Sequence, residues 1–138
     1  QSRALAALMR RHPDKLWEVE TNGTKPLGDT AGLWNIVTCS PKIIPSADQG
    51  EAGRALAEDV LEVADFKFVI HDAADLAAVV DFVESRGIDR ERVWLMPEGV
   101  TPEALTSRSR LVADSAIAHG FNYSSRLHVY AWHDVRGH

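Results

Sequence analysis

Leu16-Trp17-Glu18-Val19-Glu20-Thr21-Asn22-Gly23 is the stretch whose reading decides the fold. Leu16, Glu18 and Glu20 alternate with Trp17, Val19 and Thr21 at the period of a β-strand, and Asn22-Gly23 closes it with a turn, because both residues tolerate positive φ. A carboxylate, a hydroxyl and an amide therefore collect at a strand's C-terminal end. In parallel α/β sheets ligands bind at that end, where exposed loops are anchored by the strands beneath them. An ordinary strand and turn would look the same in isolation. What favours a ligand-bearing end is that strands finishing in polar residues recur along the chain.

Upstream, Leu5, Leu8 and Met9 lie at helical spacing within residues 2–12, and Pro13 ends that pattern. Downstream, a turn-rich connection through Lys25, Pro26, Gly28 and Asp29 leads to a second strand, Leu33-Trp34-Asn35-Ile36-Val37-Thr38, which runs into Cys39-Ser40-Pro41-Lys42. Residues 43–53 hold Pro45, Ser46, Gly50 and Gly53 without a clean period and read as a long loop. A helix over 54–64 follows, carrying Leu56, Val60, Leu61 and Val63, and then a third strand, Phe66-Lys67-Phe68-Val69-Ile70. Residues 72–86 put Leu76, Val79, Val80 and Val83 on one helical face, with Gly87 as the left-handed stop. Val93-Trp94-Leu95-Met96 is a fourth strand, halted by Pro97-Glu98-Gly99. Thr101, Pro102 and Glu103 open a last helix, lined by Leu105, Leu111, Val112, Ala116 and Ile117 as far as Gly120. Residues 126–132 read as a final strand, with Leu127, Val129 and Ala131 opposite Arg126, His128, Tyr130 and Trp132. This alternation predicts the α/β class in one domain, 1–138, with parallel strands and right-handed crossovers, in a barrel segment or an open wound sheet.

The chain of 138 residues carries a net charge of −5, which argues against broad electrostatic binding to nucleic acid. It has no run of about 18 apolar residues and no signal-peptide pattern, so the reading is cytoplasmic and without membrane contact. With Cys39 as the single cysteine, there is no internal disulfide and no Cys-x-x-Cys for zinc or a cluster. Any metal chemistry must recruit ligands from outside this chain. The sequence begins without Met inside a helical pattern, which suggests a preceding part.

Among the polar residues at strand ends, Asn22 reads as a turn cap and Glu20 as a ligand contact. Ser40, Pro41 and Lys42 offer a hydroxyl and an ammonium on a stiffened backbone, suited to a carboxylate or ribose, although spacing alone describes a solvated loop lysine. Lys67, inside an apolar strand, must find a partner or lose its proton if the strand is central, or else sits at an edge or snorkels to water. Met96, Pro97, Glu98 and Gly99 form an apolar shelf and a corner able to take an adenine by backbone hydrogen bonds, or simply a tight turn. Arg126 and His128, with Tyr130 and Trp132, suit an anionic planar ring, or else the polar face of an edge strand.

Taken together, Glu20-Thr21-Asn22-Gly23-Thr24, Thr38-Cys39-Ser40-Pro41-Lys42, Asp65 to Ile70, Leu95-Met96-Pro97-Glu98-Gly99 and Arg126-Leu127-His128, followed by Trp132 and Arg136-Gly137, resemble the 7-carboxy-7-deazaguanine synthase family in order and spacing. The resemblance implies the C-terminal part of a partial (β/α) barrel from a radical S-adenosylmethionine carbon–nitrogen lyase. Such an enzyme contracts 6-carboxy-5,6,7,8-tetrahydropterin to 7-carboxy-7-deazaguanine with loss of ammonia, as in queuosine formation for tRNA modification. It implies S-adenosylmethionine, a 4Fe-4S cluster and Mg2+ as cofactors, and as partners the pterin, an electron donor such as a flavodoxin, and a second copy in a homodimer. By motif, Ser40, Pro41, Lys42, Met96, Pro97, Glu98 and Gly99 hold S-adenosylmethionine, with Met96 where many relatives have glutamine. Glu20, His128 and Asp134 correspond to substrate contacts. The family's three cluster cysteines and its Gly-Gly-Glu-Pro strand belong upstream of Gln1, so the chain alone is expected to be inactive. The competing readings are a radical S-adenosylmethionine activase and a non-catalytic nucleotide-binding fragment.

Overall fold

A computed structural model describes residues 2–43, 55–133 and 135. Its elements are α1 (Ser2–Arg11), β1 (Glu18–Thr21), β2 (Ile36–Cys39), α2 (Glu58–Val63), β3 (Asp65–Ile70), α3 (Ala73–Arg86), β4 (Val93–Pro97), α4 (Pro102–His119), β5 (Asn122–Tyr123) and α5 (Leu127–Trp132). Short 3-10 turns occupy Gly28–Thr30 and Arg90–Arg92. The strands form one sheet in the order β1-β2-β3-β4-β5, an α/β fold. Pairing is parallel, with Glu20 opposite Thr38, Cys39 opposite Phe66 and Leu95 opposite Tyr123. This strictly sequential order is that of a (β/α) barrel segment, since a doubly wound sheet reverses its strand order at a switch point. Two compact units share the chain: residues 2–42 with 55–66, and residues 67–133 with 43 and 135.

In the first unit α1 buries Ala6 and Met9. The strands are shorter than the apolar runs predict, for a local reason. The Trp17 amide donates to Asn35 Oδ1 at 2.8 Å, and the Asn35 and Ile36 amides both converge on the Trp17 carbonyl, so side-chain pairing replaces ladder pairing and leaves Leu16 86% exposed. Helix α2 also starts later than predicted. The Ala57 amide donates to the Gly23 carbonyl at 2.8 Å, which holds Ala57 extended until Glu58. Asp59 on α2 then accepts from the Leu27 amide at 2.8 Å.

In the second unit the predicted helix ends are observed. Asp72 Oδ1 accepts from the Ala74 and Asp75 amides at 2.9 and 3.1 Å, and Gly87 stops α3 at φ 61°. Thr101 caps α4, Pro102 occupies its first turn, and Gly120 ends it at φ 68°. The packed face of α4 is Leu105, Val112 and Ala116. Leu111 and Ile117, expected on that face, are 40% and 80% exposed, because each lies one residue, about 100°, off the stripe.

The C-terminal expectation is overturned. Residues 127–132 form helix α5, and the last strand is Asn122–Tyr123. After Gly120, Phe121 N–H closes α4 by donating to Ala116 O, and the chain then joins the sheet: Asn122 and Tyr123 pair with Trp94 and Leu95, Asn122 Nδ2 donates to Glu91 O at 2.6 Å, and Ser124 N–H donates to Leu95 O. The alternating apolar set that suggested a strand is not buried as a set, since Val129 is fully buried while Leu127 is 74% exposed.

Alternation along β2, β3 and β4 separates two faces. Val37, Cys39, Phe66, Phe68, Ile70, Val93 and Leu95 are buried, whereas Ile36, Thr38, Lys67, Val69, Trp94 and Met96 keep solvent contact. Each large buried side chain contributes about 1.5–3 kcal/mol. Parallel sheets are normally covered on both sides, so the second face is the unusual one.

The Gly23 turn makes a testable claim about packing. Gly23 (φ +80°) and Gly32 (φ +75°) both favour glycine, but a Cβ at Gly23 would lie 2.7 Å from both Cys39 Sγ and Leu56 Cδ2, while at Gly32 it meets nothing within 4 Å. Gly32→Ala is expected to cost about 1–2 kcal/mol from backbone strain, and Gly23→Ala roughly 1–3 kcal/mol more. Urea denaturation measures both; equal losses would contradict the close packing.

Candidate functional site

The ends of β1 and β2 are joined by the Ser40 amide, which donates to Thr21 O at 2.8 Å. Thr21 Oγ1 accepts from the Gly23 amide at 3.0 Å, and Asn22 Oδ1 accepts from Thr24 N–H and Oγ1–H, so Asn22 caps the turn as its type predicts. Glu20 belongs to the less covered sheet face, in register with Thr38. Pro41 is buried, Ser40 half-buried and Lys42 exposed, so the proline anchors a segment that presents a hydroxyl and an ammonium. Lys67 lies part-exposed on β3, on the face opposite Phe66, Phe68 and Ile70. Its place in an apolar run is therefore explained by strand parity.

Cys39, beside this turn, is fully buried, and desolvation pushes its thiol from 9.0 up to about 12. A neutral, enclosed thiol is neither nucleophile nor metal ligand at neutral pH. A 4Fe-4S cluster needs several thiolates, and this chain's one cysteine is of the wrong kind. The residues of this chain do not fit the cluster.

In the second unit the corner after β4 is tied down from several sides. The Glu98 amide donates to Ile70 O at 2.8 Å, linking the ends of β3 and β4. Arg108, on α4, donates from Nε to His71 O at 3.2 Å and from Nη1 to Glu98 O at 3.4 Å, with the Glu98 carboxylate 3.6 Å from Nη1. Arg126 Nη1 donates to Gly99 O at 2.8 Å. Gly99 is buried at φ +157°, and a Cβ there would stand 3.0 Å from the Leu105 amide nitrogen. Pro97 is buried and Met96 half-exposed on the less covered face.

Arg126 and His128 do not share a strand face. Arg126 is the N-cap of α5 and is spent on a backbone carbonyl, while His128 lies exposed in the helix's first turn. Tyr130 is turned toward α4, where hydrogen bonding to Thr106, and then to Ser109, draws its hydroxyl below the ordinary range. Asp134 and residues 44–53 of the predicted loop lie outside the described residues. Arg108 carries no motif and was invisible to sequence reasoning; its one signal is its place two turns into the helix that follows the Pro-Glu-Gly corner.

His71, Asp72 and Asp75 bring ligand atoms within 4.8 Å of one another. Asp72 is occupied as the α3 cap, and Asp75 Oδ2 accepts from the His71 amide at 2.9 Å. The cap bond from the Asp75 amide, and then the side-chain contact with His71, hold the Asp72 carboxyl below its usual range. The group is thus a capping device. S-adenosylmethionine offers a carboxylate, an ammonium, ribose hydroxyls and an adenine edge. In the first unit Glu20, Ser40 and Lys42 carry side-chain groups chemically complementary to its ammonium, hydroxyls and carboxylate; in the second unit the Pro97–Gly99 backbone carries peptide groups complementary to an adenine edge.

Neither a protein-family model nor a solved structure matches the chain. Among curated proteins, it is 40% identical over 142 residues to the 7-carboxy-7-deazaguanine synthase of Halobacterium salinarum, an alignment covering 85% of this chain and 54% of that protein. The enzyme of that name from Hyperthermus butylicus is 31% identical over 122 residues, covering 81% and 51%. That from Pyrobaculum aerophilum is 43% identical over 72 residues, covering 52% and 32%. The chain spans about half the length, or less, of the curated relatives it matches. Among the described residues no helix is long and apolar enough to cross a membrane.

Burial of Cys39 predicts its reactivity. A folded-state pKa raised from 9.0 to about 12 contributes stability that is complete below pH 9.0 and is lost as pH rises toward 12. Iodoacetamide at pH 8 is expected to leave the folded protein unlabelled and to alkylate Cys39 once urea unfolds it. Rapid labelling without urea, followed by mass spectrometry, would contradict the enclosed thiol.

Proposed function

The chain belongs to the 7-carboxy-7-deazaguanine synthase family, and from this premise we propose that the protein carrying it converts 6-carboxy-5,6,7,8-tetrahydropterin to 7-carboxy-7-deazaguanine with loss of ammonia. The observation that carries the reading is 40% identity over 85% of the chain to an enzyme of that name. Its support in the fold is that Ser40-Pro41-Lys42 and Pro97-Glu98-Gly99 stand at the C-terminal ends of parallel strands, where α/β enzymes keep their ligands.

S-adenosylmethionine, when bound, would supply the hydrogen abstraction that begins the ring contraction. Within this chain, Ser40 and Lys42 bind polar groups of S-adenosylmethionine on a backbone fixed by Pro41. The Met96–Gly99 corner takes the adenine through backbone groups. Met96 keeps only its apolar surface for this, because a thioether has no strong donor to replace a glutamine amide. Glu20, His128 and Asp134 serve the pterin. Glu20 offers acceptor oxygens to ring N–H groups, and His128 offers a ring N–H to the pterin's carboxylate. An electron donor of the flavodoxin type and a homodimeric assembly complete the reading, with cytoplasmic location.

In the intact enzyme carrying this chain, His128→Ala is expected to abolish carboxypterin turnover while slow cleavage of S-adenosylmethionine persists. Lys42→Ala is expected to weaken S-adenosylmethionine binding by about tenfold or more, the loss of one charge-assisted hydrogen bond. Turnover by chromatography and affinity by calorimetry decide the matter. An enzyme that does not turn over carboxypterin at all, or variants with unaltered constants, would contradict the proposal.

A further inference from the structure

We infer that Arg108 and Arg126 are positioning residues that set the orientation of the two peptide groups of the β4 corner, Glu98-Gly99 and Gly99-Val100. The inference rests on the reading of Met96–Gly99 as a ligand contact and deepens it. Arg126 spends its charge on backbone, and Arg108 divides its charge between backbone carbonyls and the Glu98 carboxylate, 3.6 Å from Nη1. Arg126 gives one short bond, 2.8 Å, to Gly99 O. Arg108 is shared among His71 O, Glu98 O and Ala104 O at 3.2, 3.4 and 3.3 Å, and is only partly exposed. Two consecutive carbonyls of one corner are thus each addressed by a different guanidinium, carried on different helices.

The consequence is geometric. The peptides are trans, so each N–H points opposite to the carbonyl of its own peptide group. Fixing Glu98 O toward Arg108 turns the Gly99 N–H away from that guanidinium, and fixing Gly99 O toward Arg126 does the same for the Val100 N–H. Left alone, a glycine peptide flips readily, because no Cβ restricts it. Here Gly99 is also pressed against the start of α4, where a Cβ would meet Leu105 N and Cδ2 at 3.0 Å and Ala104 Cβ at 3.1 Å. The arginines therefore preorganise two neighbouring donors, which lowers the ordering cost of binding an acceptor edge such as that of a nucleobase.

The two positions differ in what can replace them. Arg126 serves one acceptor, a task that a lysine ammonium can perform. Arg108 uses Nε and Nη1 to bridge the end of β3 and the β4 corner, which needs the rigid fork. In the intact enzyme carrying this chain, Arg126→Ala and Arg108→Ala are expected to speed hydrogen exchange at Gly99 and Val100 and to weaken S-adenosylmethionine affinity about tenfold. Arg126→Lys restores both properties and Arg108→Lys neither, with unfolding midpoints reported alongside. That pattern supports the inference.

Unaltered exchange at Gly99 and Val100 in the alanine variants overturns it whatever the ligand. Faster exchange with unchanged affinity, while Lys42→Ala does weaken binding, overturns it and leaves the ligand reading intact. Faster exchange with neither the arginine variants nor Lys42→Ala affecting affinity overturns both together. Rescue by lysine at both positions, or at neither, overturns the distinction between a single tether and a bridge.

Discussion

Strand parity is the constraint on which the structure depends. In Asp65-Phe66-Lys67-Phe68-Val69-Ile70, every second side chain enters a fully buried face, so the residues between them are free to be polar. A lysine in the buried register would lose the hydration of its ammonium, at a cost of several kcal/mol. In the other register it costs little. The same division runs through Ile36–Cys39 and Val93–Pro97, and in β1 it sends Glu18 and Glu20 outward. One face therefore supplies stability, and the other keeps its side chains in contact with water.

Those ends are held by hydrogen bonds that do not belong to the ladder. Ser40 N–H to Thr21 O ties β2 to β1, and Glu98 N–H to Ile70 O ties β4 to β3. Segments that must present a hydroxyl, an ammonium or a peptide group are thereby fixed at their roots. Cys39 illustrates the other side of the arrangement: packed against Gly23 and sealed from water, it is structural.

What the sequence makes legible is whatever is encoded locally. Asp72 and Gly87 mark the ends of α3, and Thr101, Pro102 and Gly120 those of α4, because caps act within four residues of themselves. The last strand was not legible. Asn122–Tyr123 is two residues long and is defined by its pairing with Trp94 and Leu95, far back along the chain. Leu127, Val129 and Ala131 fit a period of two as well as a helical one over so short a span, and only packing decides between them. For the site, the Ser-Pro-Lys and Pro-Glu-Gly elements stand out as text. The guanidiniums that hold the corner do not, since an arginine bonded to a distant carbonyl leaves no spacing rule behind.

The central claim is that the C-terminal ends of the parallel strands are the ligand-bearing edge. Hydrogen exchange of the intact enzyme with and without S-adenosylmethionine tests it most directly. The account predicts slowed exchange in peptides covering Cys39 to Ile43 and Met96 to Val100, with the opposite strand ends, Leu16-Trp17 and Arg90 to Arg92, unchanged. Protection confined to those opposite ends, or none at either edge under saturating ligand, would contradict it.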